Sequence, residues 1–400
     1  MRFKVHRPGL NFIAMFTKHF FLLFVMAFSL ITVDAQITPS PPEDDATPKY
    51  VNEFLQIGVG ARALGMSLAQ VATVNDVTSG YWNPAGLLGI RSDLQIAAMH
   101  SEYFAGIAKY DYAAIGKSLD SVSAASISFI RFGVDDIPNT TDLIDAGGNI
   151  DYDRITTFSA ADYAFVLSYA RNAFSKNNSN QVDLVNERPT GTGLRWGANA
   201  KIIYRQVGDF ANAWGFGLDA GIQYDWRNWK LGVMGRDITS TFNAWSYSLD
   251  QNTIDVFTQT GNEIPQNSLE IALPRVIIGG ARNFQWKKVS LLAELNADLT
   301  TDGQRNVLVS AKPVSIDPHI GFDLGYNNVI FLRMGAGNVQ RVKDFDGSES
   351  FTWQPNMGLG LRIKQLQLDY ALSDIGNQSD VLYSNVFSLR YDLYKPARPL

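Results

Sequence analysis

The segment from Trp214 to Arg227 alternates between two kinds of side chain along its whole length. Its even-numbered positions are apolar or aromatic, whereas its odd-numbered positions are small, polar or charged. Successive side chains of a β-strand point to opposite faces, so this pattern predicts a long strand with one apolar and one polar face. The apolar face is about as long as a bilayer is thick and carries Trp214 and Trp226 at its ends, which is typical of the aromatic girdles of a membrane β-barrel.

The same alternation recurs at 194–205, 365–373 and 387–394. We therefore predict an all-β fold, a transmembrane antiparallel β-barrel in the outer membrane of a Gram-negative bacterium, in contact with outer-membrane lipid. The alternative is a soluble β-sandwich, whose half-buried strands also alternate. Charged residues of both signs, such as Arg195, Lys201, Asp219 and Glu294, fall on the polar faces and are expected in the lumen.

The spacing of the alternating segments predicts about 14 strands in a barrel spanning 93–400. They are predicted at 93–101, 105–117, 121–132, 162–171, 193–206, 213–227, 228–237, 274–285, 288–299, 305–327, 329–337, 355–364, 365–373 and 384–394. Pro313 and Pro318 interrupt the segment 305–327, which we count as one strand because bacterial barrels have even strand numbers. Long connections are predicted at 133–161, 172–192, 238–273 and 338–352.

The N-terminus predicts export. Basic residues precede an apolar run, 20–33, that is too short to span a bilayer, and Val33-Asp34-Ala35 offers small residues for cleavage. We predict a signal peptide at 1–35 and a Pro- and acid-rich leader at 36–50. Met15 is an alternative start that gives a signal peptide of more usual length.

Composition excludes several classes of function. After cleavage, 30 basic and 38 acidic residues leave a net charge near −8, which argues against a nucleic-acid partner. The chain has no cysteine, and its mature histidines, His100 and His319, are not at metal-ligand spacing. We expect no metal, no cofactor and no enzyme activity. A hydrolytic site at His100 beside Ser101 is disfavoured because neighbours in a strand point to opposite faces.

The segment 51–92 does not alternate and is predicted to be an N-terminal hatch inside the lumen. Its signature residues are Gly58, Gly60, Arg62, Gly65, Asn83, Pro84 and Gly86. The glycines favour close approach of backbones or turns, and Asn83-Pro84 favours a turn. Arg62 is a charge among apolar residues and needs a partner, for which Asp76 is the candidate. Residues 58–63 also fit a dinucleotide fingerprint, but no βαβ unit follows them.

The block IGVGARALGM at 57–66, followed by YWNPAGL at 81–87, resembles the opening of the PorV/PorQ family of Bacteroidetes outer-membrane proteins. That family is itself similar to the FadL long-chain fatty-acid transporters. The resemblance is specific over 54–90 and implies a 14-stranded barrel with an N-terminal hatch. Ser67-Leu68 and the stretch 74–76 depart from the usual family pattern, so a paralogue is implied rather than PorV itself.

The resemblance implies a non-enzymatic role in type IX protein secretion. Expected partners are the type IX translocon, attachment components, and cargo proteins with C-terminal signal domains. Phe242, Trp245, Tyr247 and Phe257 lie in a predicted loop and are the candidate contact residues, unless they extend the barrel wall or pack on each other. The alternative function is a FadL-like uptake channel for long-chain fatty acids or other hydrophobic molecules, which an apolar pocket at the outer mouth would support. A lipid-A-modifying enzyme is a more distant alternative.

Overall fold

The computed structural model describes residues 51–144, 147–173, 193–303, 305–311, 313–343, 348–373 and 384–394. The predicted signal peptide, the leader and most of the connection 172–192 lie outside these ranges. They therefore remain predictions from the sequence.

Within the described ranges, sixteen antiparallel strands form one sheet. They are β1 (Leu94–Tyr103), β2 (Ala108–Ser118), β3 (Ser123–Asn139), β4 (Thr156–Asn172), β5 (Gly193–Val207), β6 (Ala211–Trp226), β7 (Trp229–Arg236), β8 (Thr241–Tyr247), β9 (Ser268–Ala272), β10 (Arg275–Trp286), β11 (Val289–Thr300), β12 (Ser315–Tyr326), β13 (Ile330–Lys343), β14 (Glu349–Ile363), β15 (Leu366–Ser373) and β16 (Ser384–Leu393).

The sheet closes on itself, because β1 pairs with β16 and β5 pairs with β6. Two wall strands are interrupted. β6 pairs with β7 along its second half and with β8 along its first half, so β7 and β8 together make one wall strand. Their partners β10 and β9 make the next one. The wall therefore has 14 strands, and the predicted antiparallel barrel with a hatch in its lumen is confirmed.

The two ends of the barrel differ in their connections. One end carries short turns such as 227–228, 287–288 and 364–365, and we call it the turn end. The other carries longer connections such as 140–155 and 248–267, and we call it the loop end. Outer-membrane barrels place short turns in the periplasm and long loops outside the cell, and on that rule we name the cavity at the loop end outer and the cavity at the turn end inner.

The outer face of the wall is apolar, as the alternation predicts. Trp214 and Trp226 on β6 are 59% and 54% exposed, whereas Asp219 between them is only 4% exposed and faces the lumen. The Trp214 ring lies 4.8 Å from that of Tyr204, which is 6.1 Å from that of Tyr163, both measured between centroids. This aromatic row on β4, β5 and β6 fits a girdle near the loop end.

Several strands extend beyond their predicted bounds. β3 runs on to Asn139 and β4 begins at Thr156, so both enter the predicted loop 133–161. The predicted loop 238–273 contains β8 and β9. The segment 305–327 holds one strand, as predicted, but a shorter one, because β12 begins only at Ser315. Residues 301–314 form a connection with one isolated bridge, Val309 to Ile316.

Helices are short in the described residues. They are Glu53–Gln56, Pro84–Gly89 and Tyr152–Arg154, which are 3-10 helices, and the α-helices Ala61–Gly65, Ser79–Trp82 and Gln251–Thr260. The last of these lies in the loop between β8 and β9. Asp250 caps its start by accepting a bond from the Thr253 N–H at 2.7 Å, and Gly261 ends it in the left-handed conformation. None of the described helices is long and apolar enough to cross a membrane.

Candidate functional site

The candidate functional site is the lumen, which the hatch, residues 51–92, divides. The hatch has its own aromatic core, where the Tyr81 and Trp82 rings lie 4.9 Å apart edge to face. The Tyr81 hydroxyl donates to the Leu55 carbonyl at 2.6 Å, and Trp82 Nε1 donates to the Val59 carbonyl at 2.9 Å. These bonds tie the two halves of the segment together.

Asn83 fixes the hatch both to itself and to the wall. Its Oδ1 accepts from the Ala85 N–H at 3.2 Å, which makes the turn that Asn83-Pro84 predicts. Its Nδ2 lies 3.1 Å from the hatch carbonyl of Val71 and 3.0 Å from the wall carbonyl of Ile222. One buried side chain therefore serves as both turn former and cross-link.

The signature glycines have two structural roles. Gly58 and Gly60 have φ of 99° and 85°, a region in which residues with a Cβ are strained. Gly65 and Gly86 instead allow close packing. A Cβ on Gly65 would lie 3.1 Å from the Cα of Gly358 in the wall, and one on Gly86 would lie 2.3 Å from the Val74 carbonyl oxygen.

The wall also has glycines where it contacts the hatch. Five lumen-facing ones, which we call the glycine belt, would place a Cβ within 3.4 Å of hatch backbone atoms if substituted by alanine. They are Gly197, Gly232, Gly321, Gly335 and Gly358, the last also 3.0 Å from its own sheet. Hatch backbone and wall backbone thus touch without side chains between them.

Ion pairs join hatch and wall. Arg62 Nε lies 3.0 Å from Asp323 Oδ2 on β12, so Asp323 rather than the predicted Asp76 is its direct partner. Asp76 instead pairs with Arg390 on β16. Both partners lie more than 200 residues from the hatch in sequence, which is why proximity along the chain misidentified them.

The pKa of the Asp76 carboxyl in the hatch is lowered. Burial alone would raise its pKa, but Arg390 and the hydrogen bonds from Thr78 outweigh burial and lower the pKa below the ordinary 3.8. The carboxylate is therefore charged at neutral pH, and its pair with Arg390 is maintained.

Wall side chains also donate hydrogen bonds to hatch carbonyls. Arg236 reaches the Leu55 carbonyl at 2.8 Å, and its guanidinium lies 4.4 Å from the centre of the Tyr81 ring. Gln223 donates to the carbonyls of Val71 and Val74, both at 3.1 Å. Sequence reasoning did not single out Arg236 or Gln223. Their lumen-facing place in the alternation was the available signal.

An outer vestibule lies between the hatch and the loop end. It is a cavity of about 570 Å³ whose apolar lining comes from the hatch and from the first strands. That lining includes Phe54, Ile57, Leu64, Leu68, Phe104 and Phe132. Amide side chains such as Asn338 and Gln354, and charged ones such as Arg275, Asp298 and Arg305, line another part of it. The vestibule is therefore an amphipathic pocket with a large apolar surface.

An inner vestibule lies on the other side of the hatch, toward the turn end. It has a volume of about 490 Å³ and a mostly polar lining that includes Arg62, Asp76, Arg333, Arg362 and Arg390. Arg333 bridges two carboxylates, Asp323 at 3.4 Å and Asp369 at 2.7 Å. The hatch thus separates an amphipathic outer chamber from a polar, positively charged inner one.

The aromatic residues predicted for a loop are placed differently by the structure. Phe242, Trp245 and Tyr247 lie on β8, because the wall continues beyond the predicted end of its strand. Phe242 faces outward, whereas Trp245 stacks on Tyr247 and lies 5.0 Å beneath Arg205. Phe257 lies on the loop helix Gln251–Thr260. Three of the four residues therefore extend the wall.

His100 and His319 lie on opposite faces of the wall. His100 faces outward on β1, where its Nδ1 lies 2.7 Å from Asp111 and its Nε2 lies 3.7 Å from Glu102. Ser101 faces the lumen, so His100 and Ser101 do not form a catalytic pair. His319 is buried on the lumen side, 3.4 Å from Asp317.

Solved structures share this fold. No protein-family model matches the sequence, and no curated protein matches it. The monoaromatic hydrocarbon channel CymD aligns with a TM-score of 0.50 at 10% identity, covering 85% of this chain and 98% of its own. The toluene transporter TodX of Pseudomonas putida gives 0.50 at 11%, covering 85% and 99%. A FadL homologue of Pseudomonas aeruginosa gives 0.47 at 11%, covering 84% and 98%.

At such low sequence identity, these structural similarities show only a shared fold. The closed antiparallel barrel implied by the sequence is confirmed at that level, whereas a relation to the FadL transporters stays a prediction. Membership of the PorV/PorQ family stays a prediction from residues 54–90.

Proposed function

We propose that the protein is a hatch-gated outer-membrane channel that takes up small hydrophobic molecules. The outer vestibule carries this proposal, because a cavity of about 570 Å³ with phenylalanine and leucine side chains offers apolar surface at the outer mouth. Ligand pockets are typically apolar with a few polar groups, and this volume lies within their usual range of about 300–1,000 Å³.

The hatch must shift for a molecule to leave this vestibule inward. The outer and inner vestibules have separate linings, with the hatch residues between them. Hydrogen bonds, ion pairs and backbone contacts attach the hatch to the wall, and the chain has no cysteine for a covalent link. A shift therefore requires only non-covalent contacts to break.

The solved structures of the same fold support the hydrophobic substrate class. CymD is a monoaromatic hydrocarbon channel and TodX is a toluene transporter. We extend that class of substrate to this chain on the strength of its own outer vestibule.

The turn between β1 and β2 allows a matched test. Phe104 lines the outer vestibule and has a φ of 54°, a conformation that asparagine tolerates. Ile107 lies in the same turn, is 63% exposed and does not line the vestibule. Phe104→Asn removes aromatic contact surface from the vestibule, whereas Ile107→Asn is the control.

The measurement is uptake of labelled toluene by Gram-negative cells with and without the protein. We expect the protein to increase the initial rate, and Phe104→Asn to lower the apparent affinity about fivefold, as expected for losing roughly 1 kcal/mol of apolar contact. Ile107→Asn should behave as wild type. Equal uptake with and without the protein would overturn the proposal, and equal behaviour of the two variants would overturn the entry route.

A type IX docking role remains a prediction from the resemblance alone. Of its candidate contact residues, Phe257 lies on the loop helix and Phe242, Trp245 and Tyr247 lie on β8. Purification from gently solubilised membranes separates the two roles. Type IX components or cargo in stoichiometric amounts would favour docking, and a protein-free barrel that binds toluene would favour the channel.

A further inference from the structure

The inner vestibule contains more basic than acidic side chains. Arg62, Arg91, Lys230, Arg333, Arg362 and Arg390 line it, against three carboxylates. All three carboxylates are already paired within the cavity. Asp323 and Asp369 bind Arg333, Asp323 also binds Arg62, and Asp76 binds Arg390.

Apart from Arg91, which is exposed, Arg362 is the cation that this pairing leaves over. Its Nε donates to the Gln367 side-chain oxygen at 2.8 Å, and its guanidinium lies 5.2 Å from the centre of the Phe331 ring. Neither group is charged. Within the ranges that the structure describes, Arg362 forms no ion pair with a carboxylate at 4 Å or less. Lys230, by contrast, is paired with Asp225 at 3.3 Å.

Charges of both signs lie near Arg362. The guanidinium groups of Arg390 and Arg62 repel it, and the carboxylates of Asp369 and Asp392, which attract it, have smaller effects. Repulsion among partly buried guanidinium groups is relieved when an anion binds between them, and planar guanidinium groups match the oxygens of carboxylates and phosphates. The cavity of about 490 Å³ has room for such an anion and its water.

We propose that the inner vestibule binds a small anion, carrying a carboxylate or phosphate group, with Arg362 as the principal ligand and Arg390 beside it. The site faces the turn end and is separate from the amphipathic outer vestibule. Its existence does not depend on the channel function, because the charges alone define it.

Arg227 provides the matched control. It is an arginine at the same end of the barrel, in the turn after β6, and does not line the inner vestibule. Its guanidinium lies over the Trp226 ring at 5.5 Å. Arg227→Gln and Arg362→Gln therefore remove the same charge from the same end, but only the second changes the cavity.

The experiment uses the full mature chain in nanodiscs of zwitterionic lipid at constant ionic strength. Inorganic phosphate and butyrate are titrated separately by calorimetry, which distinguishes the two oxyanion classes. We expect saturable binding of at least one probe at one site per chain. Arg362→Gln should raise its Kd about tenfold or more, equivalent to about 1.4 kcal/mol, and Arg227→Gln should leave it unchanged.

Absence of saturable binding for both probes would overturn the proposal, as would an unchanged Kd in Arg362→Gln. Electrophoretic mobility before and after heating verifies that each variant is a folded barrel. If Arg362→Gln fails to assemble, Arg362→Lys replaces it. Lysine keeps the charge but loses the planar fork, so it should bind more weakly than wild type, and unchanged binding would again overturn the assignment.

Discussion

Replacing Gly335 by alanine tests whether the hatch rests directly on the wall backbone. A Cβ at Gly335 would lie 2.3 Å from the Met66 carbonyl carbon and 2.6 Å from the Ser67 nitrogen. Ordinary contacts of this kind begin near 3.4 Å, so hatch and wall must separate locally by about 1 Å. The opposing atoms are backbone, and no change of rotamer relieves the clash. Overpacking of this kind costs about 1–3 kcal/mol.

Gly280→Ala is the control for this substitution. Gly280 lies on β10 and faces outward, where the nearest atom to an added Cβ is Leu231 Cδ2 at 3.8 Å. Both substitutions reduce the conformational freedom of the unfolded chain by the same amount, which by itself stabilises by about 0.4–1 kcal/mol. The difference between the two variants therefore isolates the contact with the hatch.

The assay has two readouts on the full chain in detergent micelles. Thermal unfolding followed by electrophoretic mobility should show Gly335→Ala destabilised relative to Gly280→Ala, and hydrogen exchange should be faster at hatch residues 61–68. Gly280→Ala should match wild type or exceed it slightly. Equal melting temperatures and equal hatch exchange in the two variants would refute the reasoning, because a seated hatch cannot accommodate that Cβ.

Two further predictions concern the ion pairs of the hatch. The pKa of Asp76 lies below 3.8, so its contribution to stability is complete above that pH and is lost as the pH falls through the folded-state pKa. Hatch exchange should therefore accelerate below about pH 4, and Asp76→Asn should abolish this dependence; a rise already near neutrality would contradict it. Arg62→Gln should lower the free energy of unfolding by about 1–3 kcal/mol, because Asp323 keeps only Arg333. Wild-type melting and membrane assembly of Arg62→Gln would contradict this prediction.

The barrel was predictable because alternation is a local property. Each wall strand must present apolar side chains to lipid and polar ones to the lumen, so the pattern at 214–227 specifies both faces of β6 without knowledge of any neighbour. Strand ends were less predictable. Above the apolar band the outward residues no longer need to be apolar, and β3 and β4 continue there without the alternation that marks them.

The interruptions of the wall and the partners of the hatch depend on distant residues. β7 ends and β8 begins across 237–240, where Lys201 of β5 lies 2.6 Å from Asp237 and 2.7 Å from Asp219. No local sequence pattern at 237–240 predicts the contact between Lys201 and Asp237. The same holds for Arg62, whose partner Asp323 was one of many lumen-facing acids. The sequence identifies which acidic residues face the lumen. Which of them contacts Arg62 depends on how the barrel closes.

The polar inner face of the wall explains how the hatch is attached. Lipid requires the outward positions to be apolar, so the inward positions supply amides, guanidinium groups and carboxylates, and these meet hatch carbonyls and charges. Asn199 donates to the Gly80 carbonyl at 2.8 Å, and Arg236 to that of Leu55 at 2.8 Å. Each such bond adds only about 0.5–1.5 kcal/mol net when water is the alternative partner. The glycine belt adds contact without interlocking side chains. The hatch also shares a buried apolar core with wall residues such as Tyr103, Tyr110 and Ile130, so a shift of the hatch has to break these apolar contacts as well as its hydrogen bonds.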